Sequence, residues 1–226
     1  MNKVEDSEEY VSPTPEQVER GLTNPHWMVR EKWVDRMDWT PTPEQVERGL
    51  DDLNSGVRMA WARRDFIPTY EQVERALMDA DWEVRQAWAE RMDWTPTPEQ
   101  VERGLNDSDI WVRLAWVRRM DWTPTPERVE KGLRSSLRVG WAQRMDWTPT
   151  PEQVERGLND EYGDARVAWA KRDDFTPTHE QIERGLKDCI SEVRDAWMER
   201  LKVEQEKLLD SVDGSQCSGC DAPCIL

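Results

Sequence analysis

One segment, Pro-Glu-Gln-Val-Glu-Arg-Gly-Leu, recurs along the chain with small changes and constrains the fold more than any other feature. Its copies begin at Pro15, Pro43, Tyr70, Pro98, Pro126, Pro151 and His179, in steps of 28, 27, 28, 28, 25 and 28 residues. A repeat of this length is one small unit that cannot bury its own apolar face, so successive copies must stack. The apolar residues agree: they come in recurring packets, and the fourteen Trp against two Phe follow from copying one Trp seven times. The irregular steps are local. The second copy lacks the residue matching Met37, and the fifth is three residues shorter between Leu133 and Leu137. Both gaps fall where loops are expected, which leaves the helices intact.

Each copy opens with a helix start. In Thr14-Pro15-Glu16-Gln17 the Thr caps, Pro takes the first helical position, and Gln three residues after Thr completes a capping box. Val18 and Leu22 then share one face of a helix of about nine residues. Gly21 recurs in six copies, while the third carries Ala76, so the position requires small size and marks a close helix contact. After a linker rich in Asp and Asn, Val112, Ala115, Trp116 and Arg119 fall at i, i+3, i+4 and i+7, one stripe of a second helix. The Trp of that stripe recurs at 33, 61, 88, 116, 141, 169 and 197 and reads as a core knob between stacked helices. Trp82 and Trp111 read as linker residues. A second aromatic class, Trp39, Phe66, Trp94, Trp122, Trp147 and Phe175, sits in the loop before each next copy. Trp and Phe alternate there, so bulk is what matters and the residues are expected to seal the seams between copies.

The run Leu50-Asp51-Asp52, then Val57-Arg58-Met59-Ala60-Trp61-Ala62, resembles HEAT-like repeats, and the Thr-Pro-Glu opening brings it closer to the leucine-rich repeat variant family. The resemblance covers roughly residues 13–201. It implies an all-α fold, a right-handed α-solenoid of seven two-helix repeats of about 28 residues, and macromolecular binding with no reaction. The expected organisation is an acidic leader over residues 1–12, the solenoid over 13–201, and a C-terminal helix extension with a Cys-containing tail over 202–226.

Lys and Arg total 31 against 47 Asp and Glu, a formal charge of −16, which disfavours direct nucleic-acid and anionic membrane binding. The first ten residues hold no signal-peptide core, and no stretch reaches the roughly 18 apolar residues of a membrane span, so the expected location is cytoplasmic. Glu16 and Arg20, four apart, are expected to pair within their own helix. Arg30 and its equivalents are expected to pair with linker Asp groups of the same or the adjacent copy. That leaves an acidic stripe of Glu19, Glu47, Glu74, Glu102, Glu130, Glu155 and Glu183, joined by loop Asp38, Asp65, Asp93, Asp121 and Asp146.

Positions that differ between copies carry more specificity than positions copied unchanged. Two residues before and after the recurring Trp the copies disagree, and Gln86, Glu90, Leu114 and Arg118 represent that variable track. By analogy with HEAT-like repeats the second helices line a concave face. The expected function is therefore an acidic, non-enzymatic protein-binding scaffold, a monomer without cofactor that docks a cationic surface of a partner protein. A DNA mimic is the alternative, although at about 10 Å per repeat the chain carries about one charge per 4 Å, where duplex DNA carries one per about 1.7 Å. Cys217, Cys220 and Cys224 supply three thiolates, and a metal or iron–sulfur site would need a fourth ligand from Cys189 or another chain. The main reading of that tail is a thiol-bearing segment without metal. The two His, His26 and His179, stand near no recurring Ser or Cys, and no phosphate loop or zinc-protease motif is present.

Overall fold

The computed structural model of the chain describes residues 12–213. These hold fourteen helices and no strand, paired as the repeat demands. The chain forms two compact blocks, residues 12–122 and 123–213. The first block contains α1 (Pro15–Leu22) and α2 (Trp27–Val34), α3 (Pro43–Leu50) and α4 (Ser55–Arg63), α5 (Tyr70–Ala76) and α6 (Trp82–Glu90), and α7 (Pro98–Leu105) and α8 (Ile110–Arg118). The second contains α9 (Pro126–Leu133) and α10 (Arg138–Gln143), α11 (Pro151–Leu158) and α12 (Gly163–Ala170), and α13 (His179–Leu186) and α14 (Ser191–Asp213). Each is a solenoid of stacked helix pairs. The second helices lie side by side, α2 on α4 on α6 on α8 in one block and α10 on α12 on α14 in the other.

The predicted helix starts are present. The Thr14 hydroxyl accepts from the Gln17 N–H at 3.3 Å, and the Gln17 side chain accepts from the Thr14 N–H at 2.8 Å. The full box recurs in every repeat except the fifth, where Arg128 replaces Gln and only the Thr half remains. First helices run eight residues, or seven in α5, too short to stand alone in water. They are held by burial of Val18 and Leu22 and their equivalents and by contact with their own second helix. The small residue at position 21 serves that contact: a Cβ at Gly104 would overlap the indole of Trp116, and one at Gly185 that of Trp197.

The recurring Trp is the core. Trp61, Trp88, Trp116 and Trp197 are at most 1% exposed, and only Trp33, in the first repeat, is half-buried. The loop aromatics seal the seams as expected. Trp39 meets the next repeat's Trp61 edge-on with ring centroids 6.2 Å apart, and Phe66 meets Trp88, Trp94 meets Trp116 and Trp147 meets Trp169 in the same way. The indole N–H is not idle everywhere: Trp39 and Trp122 donate to the carbonyls of Trp33 and Trp116 at 3.0 and 3.1 Å, while the N–H groups of Trp94 and Trp147 are buried without a partner.

Trp82 and Trp111 depart from the sequence reading. They lie in the first turn of α6 and α8, because Asp81 and Asp109 cap these helices by accepting from the N–H groups of Glu83 and Trp111. Trp111 is 54% exposed. Trp116→Ala should therefore cost about 3–5 kcal/mol in urea denaturation, while Trp111→Ala should stay within about 0.5 kcal/mol. A mild effect at Trp116 would place the ladder on the surface.

Candidate protein-binding surface

Three ladders of polar contacts hold the stack and so decide which side chains remain free. The first is the Arg30 ladder. Arg30 donates from Nε and Nη2 to Asp52 of the next repeat at 2.7 Å each, and from Nη1 to the Asn24 carbonyl at 2.8 Å. Arg58 with Asp79, Arg85 with Asp107 and Arg166 with Asp188 repeat the bidentate pair. Burial works against ionised Asp52, but Arg30 and the Asn54 N–H outweigh it and hold the carboxyl below its usual range. The shortened fifth repeat loosens the pattern: α10 begins only at Arg138, which reaches Asp160 through Nη1 alone at 3.3 and 3.4 Å.

The second ladder is a buried arginine three residues past each Trp from Trp61 onward. Arg172, 1% exposed, donates from Nη1 to the carbonyls of Ala142 and Arg144 at 2.8 and 2.6 Å and from Nη2 to that of Trp147 at 3.0 Å. It thereby satisfies carbonyls that end the previous repeat's second helix, which have no partner of their own. Its guanidinium lies 4.3 Å from the Trp147 ring centroid, and Asp174 accepts from its Nε at 2.9 Å. Arg91 and Arg119 are built alike. Arg64 shows what the missing residue of the second repeat removes. Its carboxylate neighbour is one position too early, at Asp65, so Arg64 Nε is buried without a partner, and burial lowers the pKa of its guanidinium.

The third ladder corrects the expected stripe. Glu19 is not unpaired: it accepts from Arg48 at 2.9 Å and from Gln45 at 3.3 Å, both in the next repeat. Glu47 receives Arg75 and Gln72, Glu74 receives Arg103 and Gln100, Glu130 receives Arg156 and Gln153, and Glu155 receives Arg184 and Gln181. Glu102 is bonded by Asn106, and Glu183 lies near Lys187 and His179 of its own helix. Arg48, Arg75, Arg103, Arg156 and Arg184, the equivalents of Arg20 expected to pair within their own helix, reach across the seam instead. Glu16, the expected partner of Arg20, sits at the helix N-terminus, where the backbone N–H and Thr14 hold its carboxyl below the usual range. The loop carboxylates Asp38, Asp93, Asp121 and Asp146 are taken by Arg36, Arg91, Arg119 and Arg144, and only Asp65 makes no ion pair among the described residues. A second copied series, Glu16, Glu44, Glu71, Glu99, Glu127, Glu152 and Glu180, is exposed and makes no ion pair among the described residues. Their signal in the sequence is position alone, the second residue of each first helix.

The variable track lies outside all three ladders. In the first block Glu31, Met59, Gln86 and Leu114 are half-exposed, and Asp35, Arg63, Glu90 and Arg118, one turn further on, are exposed. Gln86 donates to Glu90 at 2.7 Å. Open grooves run between neighbouring second helices. One of about 530 Å³ between α4 and α6 is floored by Ala62 and Ala87 and rimmed by Met37, Arg63, Glu90 and Met92; another of about 530 Å³ between α10 and α12 is lined by Val139, Gln143, Met145, Val167 and Lys171.

Among the described residues no group of three His, Cys, Asp or Glu is placed to hold a metal ion, and Cys189 is exposed. The candidate ligands Cys217, Cys220 and Cys224 lie outside the described residues. No described helix is long and apolar enough to cross a membrane.

Superposition on solved structures decides the kind of repeat. The chain is similar to a leucine-rich repeat variant. The matched protein, described as a leucine-rich repeat variant with a novel repetitive protein structural motif, superposes with a TM-score of 0.56 at 26% identity, over 80% of this chain and 69% of that one. No protein-family model and no curated protein matches the sequence. The leucine-rich repeat variant likeness accounts for the repeated helical array.

Arg172→Met keeps the bulk but deprives three carbonyls of their donor and Asp174 of its partner. It should lower stability by about 3–5 kcal/mol, read as a large fall in Tm. Glu130, whose carboxyl is lowered from 4.5 to about 2 by Arg156, Gln153 and Arg134, should act through pH. Because the folded-state pKa is depressed, its contribution is complete above about pH 4.5 and vanishes as pH falls through about 2. The Tm difference between the parent chain and Glu130→Gln should shrink over that window. A constant difference from pH 7 to pH 2 would remove Glu130 from the inter-repeat contact.

Proposed function

We propose that the chain is a non-enzymatic repeat scaffold that binds another protein through the exposed face of its second helices. The observation that carries this reading is a coincidence of two divisions. Most copied charged positions are engaged in the three ladders, while positions two residues before and after the Trp differ between repeats and lie outside those ladders. A side chain released from structural duty and varied from copy to copy is suited to reading a partner. Gln86, Glu90, Leu114 and Arg118 belong to this face.

A cationic partner surface is favoured by the net charge of −16 and by the exposed series from Glu16 to Glu180. Glu19, Glu47, Glu74, Glu130 and Glu155, spent on inter-repeat pairs, contribute to stability and not to docking. DNA mimicry loses the stripe that motivated it.

The test is a pair of variants of the full chain, used to capture partners and then to measure rates. Gln86→Ala with Leu114→Ser and Arg118→Ala should speed dissociation of the captured protein at every salt concentration. Glu44→Gln with Glu71→Gln and Glu99→Gln should slow association and flatten its salt dependence while leaving dissociation alone. If the first variant holds its partner as long as the parent does, the second-helix face is not the binding surface.

A further inference from the structure

The free side chains of the first block carry an order as well as a composition. Two residues past the Trp, successive second helices present Asp35, Arg63, Glu90 and Arg118, so the sign alternates at every repeat. All four are exposed, and Asp35, Arg63 and Arg118 make no ion pair among the described residues. The order would mean little if the helices were splayed, but they are in register. In the first block Arg64 bonds to the carbonyls of Val34, Arg36 and Trp39, Arg91 to those of Ala62, Arg64 and Phe66, and Arg119 to those of Ala89, Arg91 and Trp94, equivalent positions of the preceding repeat, so each second helix is set on the previous one in the same way. Packed helices lie about 8–10 Å apart. Seven residues of an α-helix rise about 10.5 Å, so a helix laid across the four second helices meets a new repeat once per heptad.

Flexible apolar side chains stand among these charges. Met37, Met92 and Met120 are exposed in the loops that follow the second helices, at 75%, 62% and 53%, and Met59 and Leu114 lie one turn before the charged row. Unbranched methionines beside a groove suit a helical ligand, which they contour by changing rotamer. Charges of alternating sign at one-heptad spacing set the register that methionine leaves loose.

We propose that the face from Asp35 to Arg118 docks an amphipathic α-helix of a partner protein, laid across α2, α4, α6 and α8, whose charged residues alternate in sign at every seventh position. This rests on the reading of the second-helix face as the binding surface and adds the partner's chemistry. Net charge draws the partner in; charge order selects it. Reversing an alternating helix end for end leaves it alternating, so one of its two orientations always fits, whereas a helix with its like charges blocked together mismatches two of the four positions in either orientation.

The probes are two synthetic 28-residue helical peptides of identical composition with the same leucine stripe, one reading Lys-Glu-Lys-Glu at heptad spacing and the other Lys-Lys-Glu-Glu. Titrated against the full chain at physiological salt, the alternating peptide should bind about tenfold more tightly. The double variant Arg63→Glu with Glu90→Arg, which changes the order on the protein to two negatives followed by two positives, should invert that preference, with its circular dichroism unchanged. Equal affinities for the parent chain, or a preference that the double variant does not invert, overturn the proposal. If affinity is independent of order but Leu114→Ser weakens both peptides, charge readout fails while the second-helix face stands as the binding surface. If neither peptide binds, or if Leu114→Ser changes nothing, that face fails as well.

Discussion

The buried arginine three residues past each Trp from Trp61 onward is the contact on which the stack depends. Every helix ends with carbonyls that lack intrahelical donors, and here those ends are covered by the following repeat. A guanidinium has five N–H donors in a rigid fork, enough for three carbonyls, a carboxylate and a ring face at once. Arg172 uses it in that way, closing on Ala142, Arg144, Trp147 and Asp174. A repeat added to the stack thus completes the helix before it, which couples neighbours without a large core.

The same economy explains the odd repeats. The second repeat is one residue short, and the cost is one buried guanidinium nitrogen, Arg64 Nε, without an acceptor. The fifth lacks Gln at the capping box and three linker residues; its second helix shrinks to Arg138–Gln143 and its bidentate arginine pair becomes a single longer contact. Irregularity is absorbed in caps and ion pairs while the Trp and Val positions keep their burial. Apolar contacts depend on volume and tolerate small shifts, whereas a fork-to-carboxylate bond fails when its partner moves by one residue.

Charge is divided along the same lines. Within each block, arginines of the first helices and glutamates of the preceding repeat neutralise one another, so part of the acidic character visible in the composition is structural. What faces outward includes a ladder of glutamates at helix starts and, in the first block, a row on the second helices in which sign changes from repeat to repeat. The likeness to a leucine-rich repeat variant fits this picture of a scaffold whose repeats are held by copied contacts and read through uncopied ones.

The sequence by itself determined the repeat, the helix starts, the small residue beneath the Trp, the Trp core, the aromatic seams and the Arg30–Asp pairs. Each of these is a local periodicity or a spacing fixed by helix geometry, so one copy compared with the next reveals it. The tertiary structure alone decided the rest. Arg48 can pair with Glu44 in its own helix or with Glu19 across the seam, and only the packing of neighbouring repeats puts Glu19 nearer. Arg119 reads in sequence as the polar end of an amphipathic stripe, and only the stacking of second helices turns it into the cap of the previous repeat. Trp82 and Trp111 read in sequence as linker residues, and the caps at Asp81 and Asp109 place them in the first turn of the second helices. In each case the sequence offers a charge or a ring with two partners within reach, and the choice between them is made by contacts between repeats, which no single repeat contains.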